Sequence, residues 1–319
     1  MTGTILVTGG NGFVGKAVCR SLVSCGLSVR ACRRIKPIVM PDLRSVSWVE
    51  TGDITGSTGW QRHLEGVTGV VHLANLAHSP SASEADYVRT NVEGTRQLIA
   101  ECERAQISRF IYVSSVKVMG DVPASYDMPL SEDLPMSPSD SYGRSKADAE
   151  TIVAASSLDT VIVRPPLVYG PGVRANFLSL LRAVRSGLPM PFGSIRNARS
   201  LVFVDNLAAA IHASLVRPAA AKQIFFVRDE IDFSTPDLVH RIARAMGRRP
   251  RLVPCPVSLL RAAGHLMAKD ALVERLVGSL TISDQRIRSR LDWTPPISPE
   301  AAFAMTVKWY SEQVSGGFS

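Results

Sequence analysis

The stretch Thr8-Gly-Gly-Asn-Gly-Phe-Val-Gly15 decides how the first half of this chain is read. Just before it, residues 4–7 (Thr-Ile-Leu-Val) are β-branched and apolar, the composition of a short buried strand. Just after it, Lys-Ala-Val-Cys-Arg-Ser-Leu-Val-Ser-Cys carries apolar residues at helical spacing and is closed by Gly26. Strand, glycine loop and helix are the context a phosphate-cradling turn requires. Gly10, Gly12 and Gly15 fit G-x-G-x-x-G, which permits a tight turn and brings backbone N–H groups and a helix N-terminus up to a pyrophosphate.

Outward from that loop, strand-like runs at 27–32, 46–49, 70–73, 110–114 and 160–164 are separated by helix-like stretches such as 91–105 and 142–157. The alternation predicts an α/β fold, a Rossmann-type doubly wound parallel sheet. After Pro165 the order loosens into Gly- and Pro-rich loops at 169–173 and 187–193, with helices expected at 207–215, 235–246 and 258–267. The expected organisation is a dinucleotide-binding domain over residues 1–165 with a return segment near 200–215, and a smaller mixed α/β substrate-binding lobe occupying most of 166–319. Residues 257–268 are semi-apolar and read as a helix packed on the core, a membrane-surface helix being the alternative.

With 319 residues the chain is long enough to bury a sizeable core. Its +8 charge comes from scattered Lys and Arg with no aromatic-interleaved run, so anionic small ligands are expected and nucleic acid is not. Five cysteines without C-x-x-C spacing read as free thiols of a reducing compartment, and no residue set has metal-ligand spacing. The N-terminus enters directly into a strand and no run of about 20 apolar residues occurs, so a cytoplasmic protein without a membrane partner is expected.

A second motif supplies chemistry. In Tyr142-Gly-Arg-Ser-Lys146 the tyrosine and lysine lie four residues apart, on one face of the expected helix. An ammonium held beside the phenol would lower its pKa, as a proton donor or acceptor near neutrality requires.

The two motifs together resemble the short-chain dehydrogenase/reductase superfamily, specifically its extended branch of nucleotide-sugar epimerases, dehydratases and reductases. The resemblance spans nearly the whole chain through Gly52-Asp-Ile54, Val71-His-Leu-Ala74, Asn91-Val-Glu-Gly-Thr95, Val113-Ser-Ser115, Arg164-Pro-Pro-Leu-Val-Tyr-Gly-Pro171 and Arg199-Ser-Leu-Val-Phe-Val-Asp-Asn206. Leu291-Asp-Trp-Thr-Pro295 is similar to a late Leu-Gly-Trp-x-Pro element, with Asp292 replacing the glycine. It implies that residues 201–204 return to the sheet.

The resemblance implies Ser115, Tyr142 and Lys146 as catalytic residues, with Ser114 the neighbour that strand alternation turns away. For the cofactor it implies Thr8, Gly9, Gly10, Asn11, Gly12, Phe13, Val14 and Gly15 in the loop. Beyond the loop it implies Asp53, Ile54, Leu73, Ala74, Asn91 and Pro165, with Tyr142 and Lys146 at the nicotinamide end. Arg33 stands where NAD-using relatives carry an acid for the ribose 2′-hydroxyl. With Arg34 it offers guanidinium donors to a 2′-phosphate, so NADP(H) is favoured and NAD(H) remains possible. Asn176 and Arg199 are implied on the nucleotide-sugar side beside Ser115, with Arg196 and Arg275 as reserve candidates. Asp205 and Asn206 read as loop-orienting or helix-capping residues, and His72 as structural, with His78 a less certain acid or base.

Val116 and Lys117 stand where sugar 4,6-dehydratases carry an Asp-Glu pair, which disfavours that reaction. The resemblance implies an NADPH-dependent reductase of a UDP-linked 4-keto-6-deoxy (N-acetyl)hexose, of the polysaccharide or O-antigen type. The alternative is a UDP-sugar 4-epimerase with retained NAD, and a third is a non-catalytic dinucleotide-sensing protein. A homodimer built on the helices 91–105 and 142–157 is expected.

Overall fold

The computed structural model describes residues 3–34, 41–77, 82–120 and 128–315. Its strands are β1 (Thr4–Thr8), β2 (Ser28–Arg33), β3 (Ser47–Glu50), β4 (Val67–His72), β5 (Arg109–Val113), β6 (Thr160–Arg164), β7 (Leu167–Tyr169), β8 (Leu201–Phe203) and β9 (Gln223–Phe226). In the amino-terminal half the helices are α1 (Phe13–Ser24), α2 (Gln61–Leu64), α3 (Glu84–Tyr87), α4 (Gly94–Arg104) and α5 (Ser141–Ala155). They are followed by α6 (Ala175–Ser186), α7 (Val204–Val216), α8 (Thr235–Ala245), α9 (Val257–Leu266), α10 (Asp270–Val277), α11 (Gln285–Leu291) and α12 (Pro299–Ser315).

Seven strands form one parallel sheet in the order β3-β2-β1-β4-β5-β6-β9. Strands β5 and β6 are buried along their whole length, as expected of strands covered by helices on both faces. One apolar cluster, containing Ile5, Val7, Val18, Leu22, Ile111, Val161 and Leu207, lies between the sheet and the layer of α1 and α7. The other face packs Leu6, Val70, Leu98, Cys102, Tyr112 and Val153 against α4 and α5.

The strand order reverses between β1 and β4. In open α/β sheets a crevice opens beyond the carboxyl ends of the strands at such a switch point. The glycine loop follows β1 and Leu73-Ala74 follows β4, so both border that crevice.

Two expectations are corrected. Residues 201–203 do not return to the main sheet: β8 pairs with β7 in a separate two-stranded sheet, and only α7 comes back to cover the main one. The strand that rejoins the sheet is β9, beside β6. The helix expected to pack on the core is α9, in which only Gly264 is buried, while α10 buries no residue. Its apolar residues lack the core-facing stripe of a helix such as α8, which buries Leu238, Val239, Ile242 and Ala243. No helix among the described residues is long and apolar enough to cross a membrane.

Candidate active site

The loop after β1 is built so that backbone, not side chains, faces the crevice. Gly9 has φ +66°, and a Cβ there would lie 2.9 Å from the Ala74 nitrogen. At Gly15 a Cβ would run into the Gly9 carbonyl oxygen. Gly12 caps α1 without a side-chain hydrogen bond, and no acidic residue stands in the first turn. The positive end of α1 is therefore open toward an anion.

Beneath the loop, Thr8 ties β1 to β4. Its hydroxyl oxygen accepts hydrogen bonds from the Leu73 and Ala74 nitrogens, both 3.1 Å away, and lies 2.7 Å from His72 Nδ1. His72 Nε2 lies 3.1 Å from the Thr95 hydroxyl, whose own proton is donated to the Asn91 carbonyl at 2.6 Å. The ring thus donates from Nε2 and accepts the Thr8 proton at Nδ1. Burial, aided by Lys146, pushes the His72 pKa down to about 3, so the ring is a neutral strut and the structural reading stands.

A cleft of about 650 Å³ opens there, lined by Gly9, Asn11, Gly12, Phe13, Arg33, Arg34, Ile54, Leu73 and Ala74 of the anticipated residues. Lys16, Trp48, Thr51, Asn75, Thr90 and Arg174 also line it and escaped the sequence reading. Lys16 carried a signal, since it lies in the first turn of the helix after the glycine loop. Trp48 and Arg174 reach the cleft through strand pairing and the fold-back of the second half, which spacing does not show.

Other anticipated cofactor residues act behind the surface. Gly10 and Gly15 provide close packing within the loop, as a Cβ at Gly10 would lie 2.7 Å from that of Ala31. Asn91 does not face the crevice: it is buried, its carbonyl accepts from Leu76 N at 2.7 Å, and its amide donates to Leu76 O and Ser145 Oγ. It latches the segment after β4 to α5. Pro165 is buried and accepts from Val116 N at 2.9 Å.

The two arginines at the end of β2 are already engaged. Arg33 lies opposite Glu50 in the β2–β3 register, donates to its carboxylate at 3.4 Å and stacks near Trp48. Arg34 pairs with Asp53 at 3.0 Å. A carboxylate thus stands beside the end of β2, supplied by Glu50 of the next strand.

At the carboxyl end of β5, Ser115 starts a 3₁₀ turn and accepts from Lys117 N at 3.2 Å. Its side chain hydrogen-bonds Tyr142, while Ser114 is buried away. Asp140 fixes the tyrosine by capping α5 through Gly143 N at 2.7 Å and pairing with Lys117 at 3.3 Å. An Asp two residues before Tyr142 is a legible N-cap that the sequence reading passed over.

The expected lowering of the Tyr142 pKa is not what the geometry gives. Burial pushes the phenol up to about 12, with the Ser115 hydrogen bond pulling in the opposite direction. Lys146 is turned to the Val113 carbonyl at 2.8 Å and sits 4.2 Å above the Tyr112 ring. Buried there, its ammonium is destabilised and its pKa is lowered to about 7, partly opposed by Glu150.

On the far lobe, Arg199 donates to Gly278 O at 3.0 Å, and its pKa is lowered by burial and by Arg275. Asn197 anchors the same corner through Thr235, Leu276 and Gly278. The structure therefore brings Arg199 and Arg275 together, and Arg275, Asn176 and Arg196 are all exposed. Asp205 forms a long ion pair with Arg20 of α1 at 4.0 Å, and Asn206 bonds Asp229 and Ile297, both structural roles. His78 lies outside the described residues.

Residues 5–227 match the NAD dependent epimerase/dehydratase family. The chain belongs to this family. UDP-glucose 4-epimerase of Vibrio cholerae is 36% identical, with 97% of this chain and 95% of that one covered. Ceramide reductase of Caulobacter vibrioides is 28% identical, covering 97% and 94%. The solved structure of MoeE5 with UDP-glucose and NAD is 25% identical, with a TM-score of 0.78, covering 98% and 100%.

The open end of α1 and the Cβ-free loop fit a dinucleotide pyrophosphate, which Gly9, Asn11, Gly12 and Phe13 would hold, with Arg33 and Arg34 toward the adenosine end. Bound there, a nicotinamide supplies a reversible hydride acceptor and donor. Tyr142 keeps its proton and is hydrogen-bonded to Ser115, while Lys146 is turned to the Val113 carbonyl. The enzyme is a nucleotide-dependent oxidoreductase or epimerase.

Proposed function

We propose that this chain interconverts the C4 epimers of a UDP-linked hexose with a retained nicotinamide dinucleotide. The observation that carries the reading is full-length similarity to a UDP-glucose 4-epimerase at 36% identity. Ser115 at the end of β5 and Tyr142 on α5 support it, because the phenol can protonate the C4 alkoxide as hydride returns to the ketone and, as phenolate, can take the C4 hydroxyl proton as hydride leaves. Arg199 and Arg275 suit the sugar diphosphate, since guanidinium groups pair with phosphate oxygens. In the test, UDP-glucose deuterated at C4 is incubated with purified protein and no added reductant. UDP-galactose that keeps the deuterium supports the reading; absence of epimer with UDP-glucose and with UDP-N-acetylglucosamine overturns it.

Arg33 and Arg34 on the cleft wall favour a second reading, NADPH-dependent reduction of a UDP-4-keto-6-deoxy-N-acetylhexose. One NADPH would then be consumed per keto-sugar, and deuterium from its nicotinamide C4 would appear at C4 of the product. The proposed assembly is a homodimer through α4 and α5, which pack against each other on one face of the sheet.

A further inference from the structure

Helices α9 and α10 form a hairpin that contributes almost nothing to the core. Gly264 allows them to close on each other, because any side chain there would strike Val273. Helices of 10 and 8 residues are marginal in water unless an apolar face is covered. Here the hairpin's apolar residues are bare: Leu266 is 90% exposed, Met267 60% and Leu259 59%, with Leu272 also exposed. Scattered apolar residues are ordinary on a surface, but four large ones between Leu259 and Leu272 of one hairpin are not.

Charge identifies what covers it. Between Gly247 and Gly278 there are six Lys or Arg side chains against two acidic ones. Both acids are occupied within the hairpin, Glu274 by Arg261 at 2.7 Å and Asp270 by His265 at 3.4 Å. Arg249, Arg251 and Lys269 stand exposed, the first two on the chain leading into α9 and the third between α9 and α10. Apolar residues accompanied by uncompensated cations match an anionic bilayer, whose acyl boundary takes the former and whose headgroups take the latter.

We propose that the α9–α10 hairpin docks this enzyme onto an anionic lipid surface without spanning it. The site corner at Arg199 and Arg275 would then lie beside that surface, because Arg275 is itself on α10. The inference is independent of the proposed reaction, and its readout is binding, not turnover.

The test is co-sedimentation of the full chain with vesicles of phosphatidylcholine alone and of phosphatidylcholine mixed with phosphatidylglycerol. Binding to the mixed vesicles only is expected. Leu266→Glu with Met267→Glu should weaken it at least about tenfold, as should Arg249→Glu with Lys269→Glu, through the apolar and the charge contribution respectively. Circular dichroism confirms folding of each variant, and turnover on soluble UDP-glucose should stay at the native level if the proposed reaction holds. No binding to anionic vesicles, equal binding to neutral ones, or wild-type binding by both folded variants overturns the proposal. So does an oligomer in solution that the Leu266→Glu, Met267→Glu protein no longer forms, which would make a second copy the occupant.

Discussion

Tyr142 keeps its proton in this structure because burial outweighs the hydrogen bond from Ser115. Tyr142→Phe removes that proton and little else, so turnover should fall at least about a hundredfold while cofactor affinity, followed by nicotinamide fluorescence titration, is unchanged. His72 makes the protein acid-sensitive by the opposite route. Its folded pKa of about 3 lies below the ordinary 6.5, so the unfolded chain takes up a proton that the folded chain refuses. This group's contribution is complete above pH 6.5 and is lost as pH falls toward 3, amounting to about 2 kcal/mol at pH 5. Urea unfolding between pH 7 and pH 5 measures it; the loss should shrink in His72→Gln, which cannot titrate. The meeting of Ser115 and Tyr142 was legible because both belong to short motifs. The orientation of Lys146 was not, since i,i+4 spacing gives a shared helix face but not the choice between the phenol and the Val113 carbonyl.

Among the elements, α1 and the strands β1, β2, β4, β5 and β6 were readable from periodicity, each being a short run with its own start and stop signals. Register was not readable, and register places Glu50 opposite Arg33. Glu50→Gln should free the guanidinium and shift preference toward the 2′-phosphorylated dinucleotide by about tenfold, the worth of one charge-assisted contact. Paired titrations with NADH and NADPH check this, and an unchanged ratio would mean that Glu50 does not govern the site. The segment 201–203 was misplaced for a related reason: an apolar strand declares that it pairs, not which sheet it joins. Helix α9 has the apolar content of a core helix without the stripe that would seat it there, and it packs on α10 instead.

Across the whole molecule, the proposed α4–α5 pairing predicts a species of roughly twice 34.5 kDa in sedimentation velocity at micromolar concentration. A 34.5 kDa species alone would refute it. The position of β9 bears on how the molecule is made. Strand β6 ends at Arg164, yet its neighbour begins at Gln223, with residues 165–222 lying between them. On a ribosome adding about 5–20 residues per second, the Thr-Val-Ile-Val-Arg edge of β6 waits roughly 3–12 s for its partner to emerge. During that interval an apolar strand presents unpaired backbone groups to every other nascent chain nearby. Slow translation, or a stop codon before residue 223, should therefore send this protein toward aggregates or chaperones, whereas truncation after α11 leaves that edge closed.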